Sequence, residues 1–262
     1  MNEPANREPV KPGAIRALLG LGIFELRSRT TLAKLAQSAA LILGIPAMML
    51  LVLPTGDAKP FLNWIVNFHL LLVVPLTCLT TFGPLIRDEL QSDTLGFIVT
   101  RPIRRHTLYL LKYLCTMVWT QCMMILAGLA FLGVAFLKDL SISGSAVPLF
   151  FLSQSIAVLA FGAVGGLLGL LSKKYMIIGV LYGFVVEVGF AGIPTNIHTL
   201  AISHHLTAIL GNSAALAGHF NWTAGSIPES IGITAAISAV YLTLAGLLFT
   251  TREYHHSDEM GK

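Results

Sequence analysis

One acidic residue, Glu187, stands inside the apolar stretches of this sequence, where a charged group could do chemistry. An ionised carboxylate in the hydrocarbon core of a bilayer is costly, so a partner or a function is expected for it. We consider a structural hydrogen bond to a neighbouring helix, and a direct part in handling or gating a solute. A proton-coupled carrier would need more than one such acid, so the structural interpretation is favoured.

Four histidines crowd one uncharged segment further along the chain: His198, His204, His205 and His219. Such a cluster suggests a metal site. Adjacent side chains on a helix point about 100° apart, however, and the spacing matches no tight set of ligands. Hydrogen bonding at the membrane interface is therefore expected, and we predict no metal site.

Enzymatic groups are scarce in the sequence. Ser143 and Gly144 superficially resemble a membrane serine nucleophile, but they follow Lys138 in a short loop, and no histidine lies in the later spans to act as base. ATP hydrolysis needs a G-x-x-x-x-G-K-[ST] loop, and the only Gly-Lys pair is Gly261-Lys262. The sequence predicts no catalytic residue and no cofactor bound by this chain.

A polar loop, residues 86–108, is too rich in functional groups to be a mere connector. Ser92 or Asp93 can cap a short helix, which would expose the apolar side chains of Leu95, Phe97, Ile98 and Val99. Pro102 cannot continue that helix. The result is an amphipathic projection suited to a groove on another protein. Membrane topology alone would explain the arginines of this loop but not its acidic residues.

The elements that position these residues are transmembrane helices. Apolar residues form 55% of the 262 positions and charged residues 11%, against roughly 25% charged in a soluble domain. A helix needs about 20 apolar residues to cross the hydrocarbon. Six stretches qualify: Leu35–Leu53, Phe61–Ile86, Tyr113–Leu137, Val147–Leu171, Met176–Gly192 and Ser230–Thr250. The predicted fold is all-α, a polytopic membrane protein with six transmembrane helices.

Basic residues set the predicted orientation. Of the 17 lysines and arginines, all but Lys59 and Lys138 fall on the side that holds the N-terminus. Because basic residues accumulate on the cytoplasmic side, both termini are expected in the cytoplasm. No run of basic and aromatic residues indicates nucleic acid binding.

The chain is predicted to be a single transmembrane domain, 1–262. Within it, 1–34 form a cytoplasmic tail with an amphipathic surface helix, indicated by the spacing of Ile15, Leu18, Leu19, Gly22 and Leu26. The alternative is a simple extension of the first span.

Between spans five and six, residues 193–228 are predicted to form an outer re-entrant or interfacial segment. Residues 188–228 carry no formal charge, which is unusual for an aqueous loop. An amphipathic helix is indicated by Ile202, Leu206, Ile209 and Leu210.

The motifs resemble those of a known family. Glu89, Asp93-Thr94-Leu95, Arg101-Pro102-Ile103-Arg104-Arg105, Tyr109 and Lys112 are similar to the loop between spans two and three in membrane subunits of type-2 ATP-binding-cassette exporters. Asp93 departs from a frequent glycine, and Arg104 is an extra arginine beside Arg105. Glu187, Ile193-Pro194 and Leu200–Leu206 also resemble the family pattern, as does the order of elements.

The resemblance implies a permease subunit that docks a separate cytoplasmic ATPase, on which ATP and Mg²⁺ would bind. It assigns ATPase coupling to Glu89, Asp93, Thr94, Leu95, Phe97, Ile98, Arg101, Pro102, Arg104 and Arg105. It further implies a second permease copy, membrane lipid around the protein, and a bacterial plasma membrane. Identical copies are the simpler interpretation, and a second, different permease is the alternative.

Two other functions remain open at this stage. One is a membrane scaffold or sensor subunit that uses the same fold without moving a solute. The other is an ion- or proton-coupled carrier that uses Glu187. No residue indicates which solute would be transported.

Overall fold

A computed structural model describes residues 20–27, 32–87, 105–189 and 196–251. Every regular element in these ranges is helical. Helix α1 comprises residues 20–27. Helix α2 runs over 32–52, with a wider π-helical turn at Ala40–Gly44, and α3 over 58–82, with π-helical geometry at Trp64–Val73. The other long helices are α4 (Arg105–Leu137), α5 (Ala146–Leu171) and α9 (Ile227–Thr251).

Shorter helices lie between α5 and α9. Helix α6 covers residues 175–189 and becomes π-helical at Gly183–Gly189. A 3₁₀ turn at Asn196–Leu200 leads into α7 (Ile202–Leu210) and α8 (Ala214–Phe220). Helices α7 and α8 fall within residues 193–228, the segment predicted to form outer re-entrant or interfacial helices.

Among the described residues, five helices are long and apolar enough to cross a membrane: Lys34–Val52 of α2, with α3, α4, α5 and α9. The predicted fifth span, Met176–Gly192, corresponds to α6, whose apolar part is the shorter Tyr175–Glu187. At 1.5 Å per residue that part covers about 20 Å of a hydrocarbon core about 30 Å thick. The predicted all-α, polytopic membrane fold is confirmed, and residues 190–192 of the predicted fifth span lie outside the described residues.

The bundle has two ends, which we name after the predicted orientation. The inner end carries Lys34, Arg105 and Lys174. The outer end carries the turn after α2 and the turn after α4, which are joined by a hydrogen bond from the Gly56 amide to the Lys138 carbonyl, 3.1 Å long. Beside it, the Asp57 side chain accepts from the Lys59 amide at 3.0 Å and so caps the start of α3.

Helix α5 is the centre of the bundle, in contact with α3, α4, α6, α7 and α9. Its small residues allow neighbouring backbones to approach closely. A Cβ atom on Gly165 would lie 3.0 Å from the Cys78 carbonyl oxygen, and one on Gly169 would collide with the backbone of Gly83. The glycine stripe of α5 therefore packs within the chain, against α3.

Helix α2 is peripheral. Only 11% of its apolar window is buried, against 56% in α5. Leu43, Leu51 and Val52 are exposed on it. Most of the surface of α2 is therefore not covered by the described part of this chain.

Candidate coupling site at the inner end

Helix α4 is longer than the membrane requires. Its 33 residues extend about 50 Å, against a hydrocarbon core about 30 Å thick. Its polar residues Arg105, His106 and Lys112 precede its apolar part. The excess length therefore lies at the inner end, and residues 105–108 of the predicted polar loop are already helical.

A buried ion pair joins α4 to α1. The ammonium group of Lys112 lies 3.0 Å from Oε2 of Glu25, and the two side chains are only 5% and 11% exposed. Buried charges are retained where they are paired and hydrogen-bonded, because an unpaired one is very costly. The pair therefore fixes the position of α1 along α4.

One helical turn away, α1 and α4 touch again. The thiol of Cys115 is 3.8 Å from the Gly22 carbonyl oxygen. A Cβ atom on Gly22 would lie 3.6 Å from that sulfur, within ordinary van der Waals contact, so the two helices approach closely here. Together the two contacts define an α1 clamp on α4, formed by Gly22, Glu25, Lys112 and Cys115.

Two tyrosines tie the same part of α4 to the bundle core. Tyr109 is fully buried, with its ring near Phe249 of α9 and its hydroxyl against the position of Gly166 in α5. Tyr113 donates its hydroxyl hydrogen to the Leu159 carbonyl at 2.7 Å. The inner part of α4 is thus in contact with α1, α5 and α9.

Of the predicted coupling residues, the structure describes one. Arg105 is the first residue of α4. The others lie outside the described residues: Glu89, Asp93, Thr94, Leu95, Phe97, Ile98, Arg101, Pro102 and Arg104. Their roles remain predictions.

Glu187 is placed at the outer end, where α6 meets α7. Its Oε2 accepts a hydrogen bond from the Ser203 amide at 2.7 Å, and its Oε1 accepts one from the Ile202 amide at 3.3 Å. These amides belong to the first turn of α7 and have no partner within that helix. A negative charge there is also favoured by the helix dipole. Glu187 therefore caps α7.

Further bonds make Glu187 a junction of three helices. The Ser203 hydroxyl donates to its backbone carbonyl at 3.1 Å, and the Tyr182 hydroxyl donates to Oε1 at 3.4 Å. The Tyr182 hydroxyl also lies 3.5 Å from that of Tyr241 in α9. This geometry agrees with the structural interpretation of Glu187 and gives a carrier role no support.

The clustered histidines make protein contacts. Nε2 of the buried His205 lies 2.8 Å from the Thr199 carbonyl oxygen, and the rings of His198 and His204 meet edge to face at 4.4 Å. Burial lowers the pKa of His204, and its neighbours His198 and His205 lower it further. His219 packs on Phe220. Within the part of the chain that the structure describes, no three potential ligands are placed to hold a metal ion.

Sequence reasoning missed two buried polar pairs. One is Glu25–Lys112, and the other joins His69 Nε2 to Oε1 of Gln154 at 3.1 Å between α3 and α5. A signal existed for the second, because a glutamine inside an apolar span needs a partner. The Glu25–Lys112 pair has no local signal in the sequence, because Lys112 fits the general excess of basic residues that predicts the orientation.

These helices define the chain as a multi-pass, all-helical membrane protein. A family model described as ABC-2 family transporter protein matches residues 27–189, more than half of the chain. The chain therefore belongs to the ABC-2 transporter family and is a permease component of an ABC transporter, a membrane subunit that is not itself the ATPase. The match includes the polar loop and Glu187. No curated protein and no solved structure matches the chain significantly.

Proposed function

We propose that this chain is the permease half of an ATP-driven exporter that is powered through the loop between α3 and α4. A separate cytoplasmic ATPase would dock on residues 89–105 and would bind the ATP and Mg²⁺. The observation that carries this proposal is that Arg105, the last residue of the predicted coupling motif, is already part of the 33-residue helix α4. A helix of this length can transmit a displacement of its inner end into the membrane.

The proposed docking combines two kinds of contact. Leu95, Phe97 and Ile98 would fill an apolar groove on the ATPase, as amphipathic helices do in helix-in-groove recognition. Arg101, Arg104 and Arg105 would pair with acidic residues at the rim of that groove. Complementary charges of this kind select the partner and fix its register.

Movement of α4 would spread through the contacts of its inner part. The α1 clamp would carry α1 along with α4, because separating Glu25 from Lys112 would leave a buried charge unpaired. Tyr109 and Tyr113 would pass the movement to α5 and α9. Packed helices of this kind shift between discrete arrangements rather than deform continuously.

A second permease copy would complete the transport path. Six apolar helices leave little room to enclose a conduit, so the conduit is expected at the interface of two copies. The largely unburied α2 supplies apolar surface for such an interface. A homodimer is the simpler assembly, and a heterodimer with a different permease is the alternative. The expected site is a bacterial plasma membrane with both termini in the cytoplasm.

The test is affinity purification of the protein from its native membrane, followed by identification of co-purifying chains. We expect a soluble chain with a phosphate-binding G-x-x-x-x-G-K-[ST] loop. The combined Arg101→Glu, Arg104→Glu and Arg105→Glu variant should lose it, while Lys174→Glu, a charge reversal at another inner-end position, should keep it. A preparation without an ATPase would overturn the proposal if an established permease–ATPase complex survives the same detergent.

A further inference from the structure

A groove opens between the inner halves of α2, α3 and α4. It is partly open to its surroundings. Neither Glu187 nor any described residue of the predicted coupling loop lines the groove, so the proposed function does not assign it a role.

Several polar side chains stand among the apolar residues that line the groove. It includes Lys34, Gln37 and Ser38 from α2, Thr77 and Thr80 from α3, and Thr120 from α4. A second cavity nearer the outer end has an almost wholly apolar lining, with Phe61, Phe131 and Phe150 among its residues. Hydroxyl, amide and ammonium groups are thus concentrated in the inner groove, and none of the described residues that line it is acidic.

Hydrogen bonds arrange these groups. Gln37 donates from Nε2 to the Thr80 hydroxyl oxygen at 3.3 Å, across the gap between α2 and α3. Ser38 and Thr80 donate their hydroxyl hydrogens to the carbonyls of Lys34 and Thr77, at 2.8 and 3.0 Å. Their oxygens consequently retain acceptor capacity.

Thr120 differs from the other hydroxyl residues. It is 1% exposed, and its Oγ1 has no hydrogen-bond partner among the described residues. A buried hydroxyl without a partner is costly, so a ligand or a water at this position would be stabilising. Thr120 is therefore a point in the groove at which a polar group of a ligand would bind favourably.

The depth and the charge identify the class of ligand. Lys34 is the first residue of the membrane-spanning part of α2, a position from which a lysine side chain reaches the headgroup layer. Trp119, which also lines the groove, is typical of the same layer. We propose that this groove holds one inner-leaflet phospholipid, with its phosphate near Lys34 and its glycerol backbone at the hydroxyl groups. The lipid would secure α2, which few protein contacts hold in place.

The test is native mass spectrometry of the purified permease, delipidated and then titrated with phosphatidylglycerol. We expect one lipid to bind more tightly than the rest. Lys34→Gln should weaken that binding about fivefold, because one basic residue near an anionic lipid is worth about that factor. Lys34→Arg should restore it, and Lys138→Gln, which removes a charge at the outer end, should leave it unchanged.

Thr120→Val gives a second measurement that does not depend on charge. It replaces the buried hydroxyl by a methyl group of similar volume and should weaken the same binding step. Equal affinity in the wild type, Lys34→Gln and Thr120→Val would overturn the proposal, as would binding of many equivalent lipids with no distinct first site. Binding of free glycerol phosphate with the same affinity would show a phosphate site rather than a lipid site and would also overturn it.

Discussion

At Glu187 a single side chain joins three helices. The carboxylate accepts from the amides of Ile202 and Ser203 at the start of α7 and from the hydroxyl of Tyr182 on its own helix. Tyr182 in turn approaches Tyr241 of α9. The cost of placing an acid in an apolar helix is offset by these donors, so the residue is explained without a role in transport.

Replacement of Glu187 should destabilise the outer end. Glu187→Ala leaves two amides of α7 without a partner and should lower the free energy of unfolding by about 1–2 kcal/mol, the usual value of a helix cap. Glu187→Gln keeps a carbonyl oxygen as acceptor and should have a smaller effect. The measurement is an unfolding titration in mixed detergent micelles.

The matched control for Glu187 is Glu229→Ala. Glu229 is also near the outer end, in the first turn of α9, but it is exposed. It should change the unfolding free energy little. If Glu187→Ala were as stable as the wild type, the cap would contribute nothing and a transport role would regain support.

At the Glu25–Lys112 pair, the cost of removing two charges from water is balanced against the attraction between them. Taking both charges out of water is expensive, and their attraction offsets that cost only when the geometry is good. The 3.0 Å separation meets this condition. Such a pair adds little net stability, but it specifies one position of α1 on α4, since any sliding would separate the charges.

At the scale of helices, close backbone approach holds α3 against α5. Gly83 at the inner end of α3 faces Gly169 of α5, with no space for a side chain between them. Gly165 makes a similar approach to Cys78 one turn away. Small residues at such a crossing let van der Waals contacts and weak polar contacts form between backbones.

Gly169→Ala should separate these helices. Its added Cβ atom would collide with the Gly83 backbone, so the free energy of unfolding should fall by about 1–3 kcal/mol, the usual cost of overpacking. Gly133→Ala on α4 is the control, because a Cβ atom there meets nothing within 4 Å. That control should be neutral or slightly stabilising. Equal stability of the two variants in thermal unfolding would contradict the predicted contact.

The helices of this fold can largely be predicted from the sequence, because a long apolar segment in a bilayer can form few structures other than a helix. The period of Ile202, Leu206, Ile209 and Leu210 also predicted α7, and all four side chains are fully buried. Contacts between side chains that are far apart in the sequence could not be predicted from it. Glu25 and Lys112 are 87 positions apart, and nothing in the spacing of either residue indicates the other.

The whole molecule has a predicted orientation that chemical labelling can test. Thr55→Cys at the outer end should react with a membrane-impermeant maleimide in intact cells, whereas Lys174→Cys at the inner end should react only after permeabilisation. Both positions are exposed, so accessibility depends on the side of the membrane. The physical reason is the excess of lysine and arginine at the inner end.

The labelling needs a background in which Cys78, Cys115 and Cys122 are replaced. That background without an added cysteine is the control and should remain unlabelled. Labelling of Lys174→Cys in intact cells would place the inner end outside and would remove the predicted coupling loop from the cytoplasm, where the ATPase must bind.

The central position of α5 has a consequence for how the protein is made. Helix α5 packs extensively against α9, which is synthesised after α6, α7 and α8. The Ser153 hydroxyl donates to the Leu206 carbonyl in α7, a partner that also emerges from the ribosome later. When α5 first enters the bilayer, the faces that will later contact α7 and α9, including the Ser153 hydroxyl, are therefore in contact with lipid. Helix α5 can reach its final packing only after the later helices have been inserted. A chain whose synthesis stops before α9 would therefore be a substrate for membrane quality control.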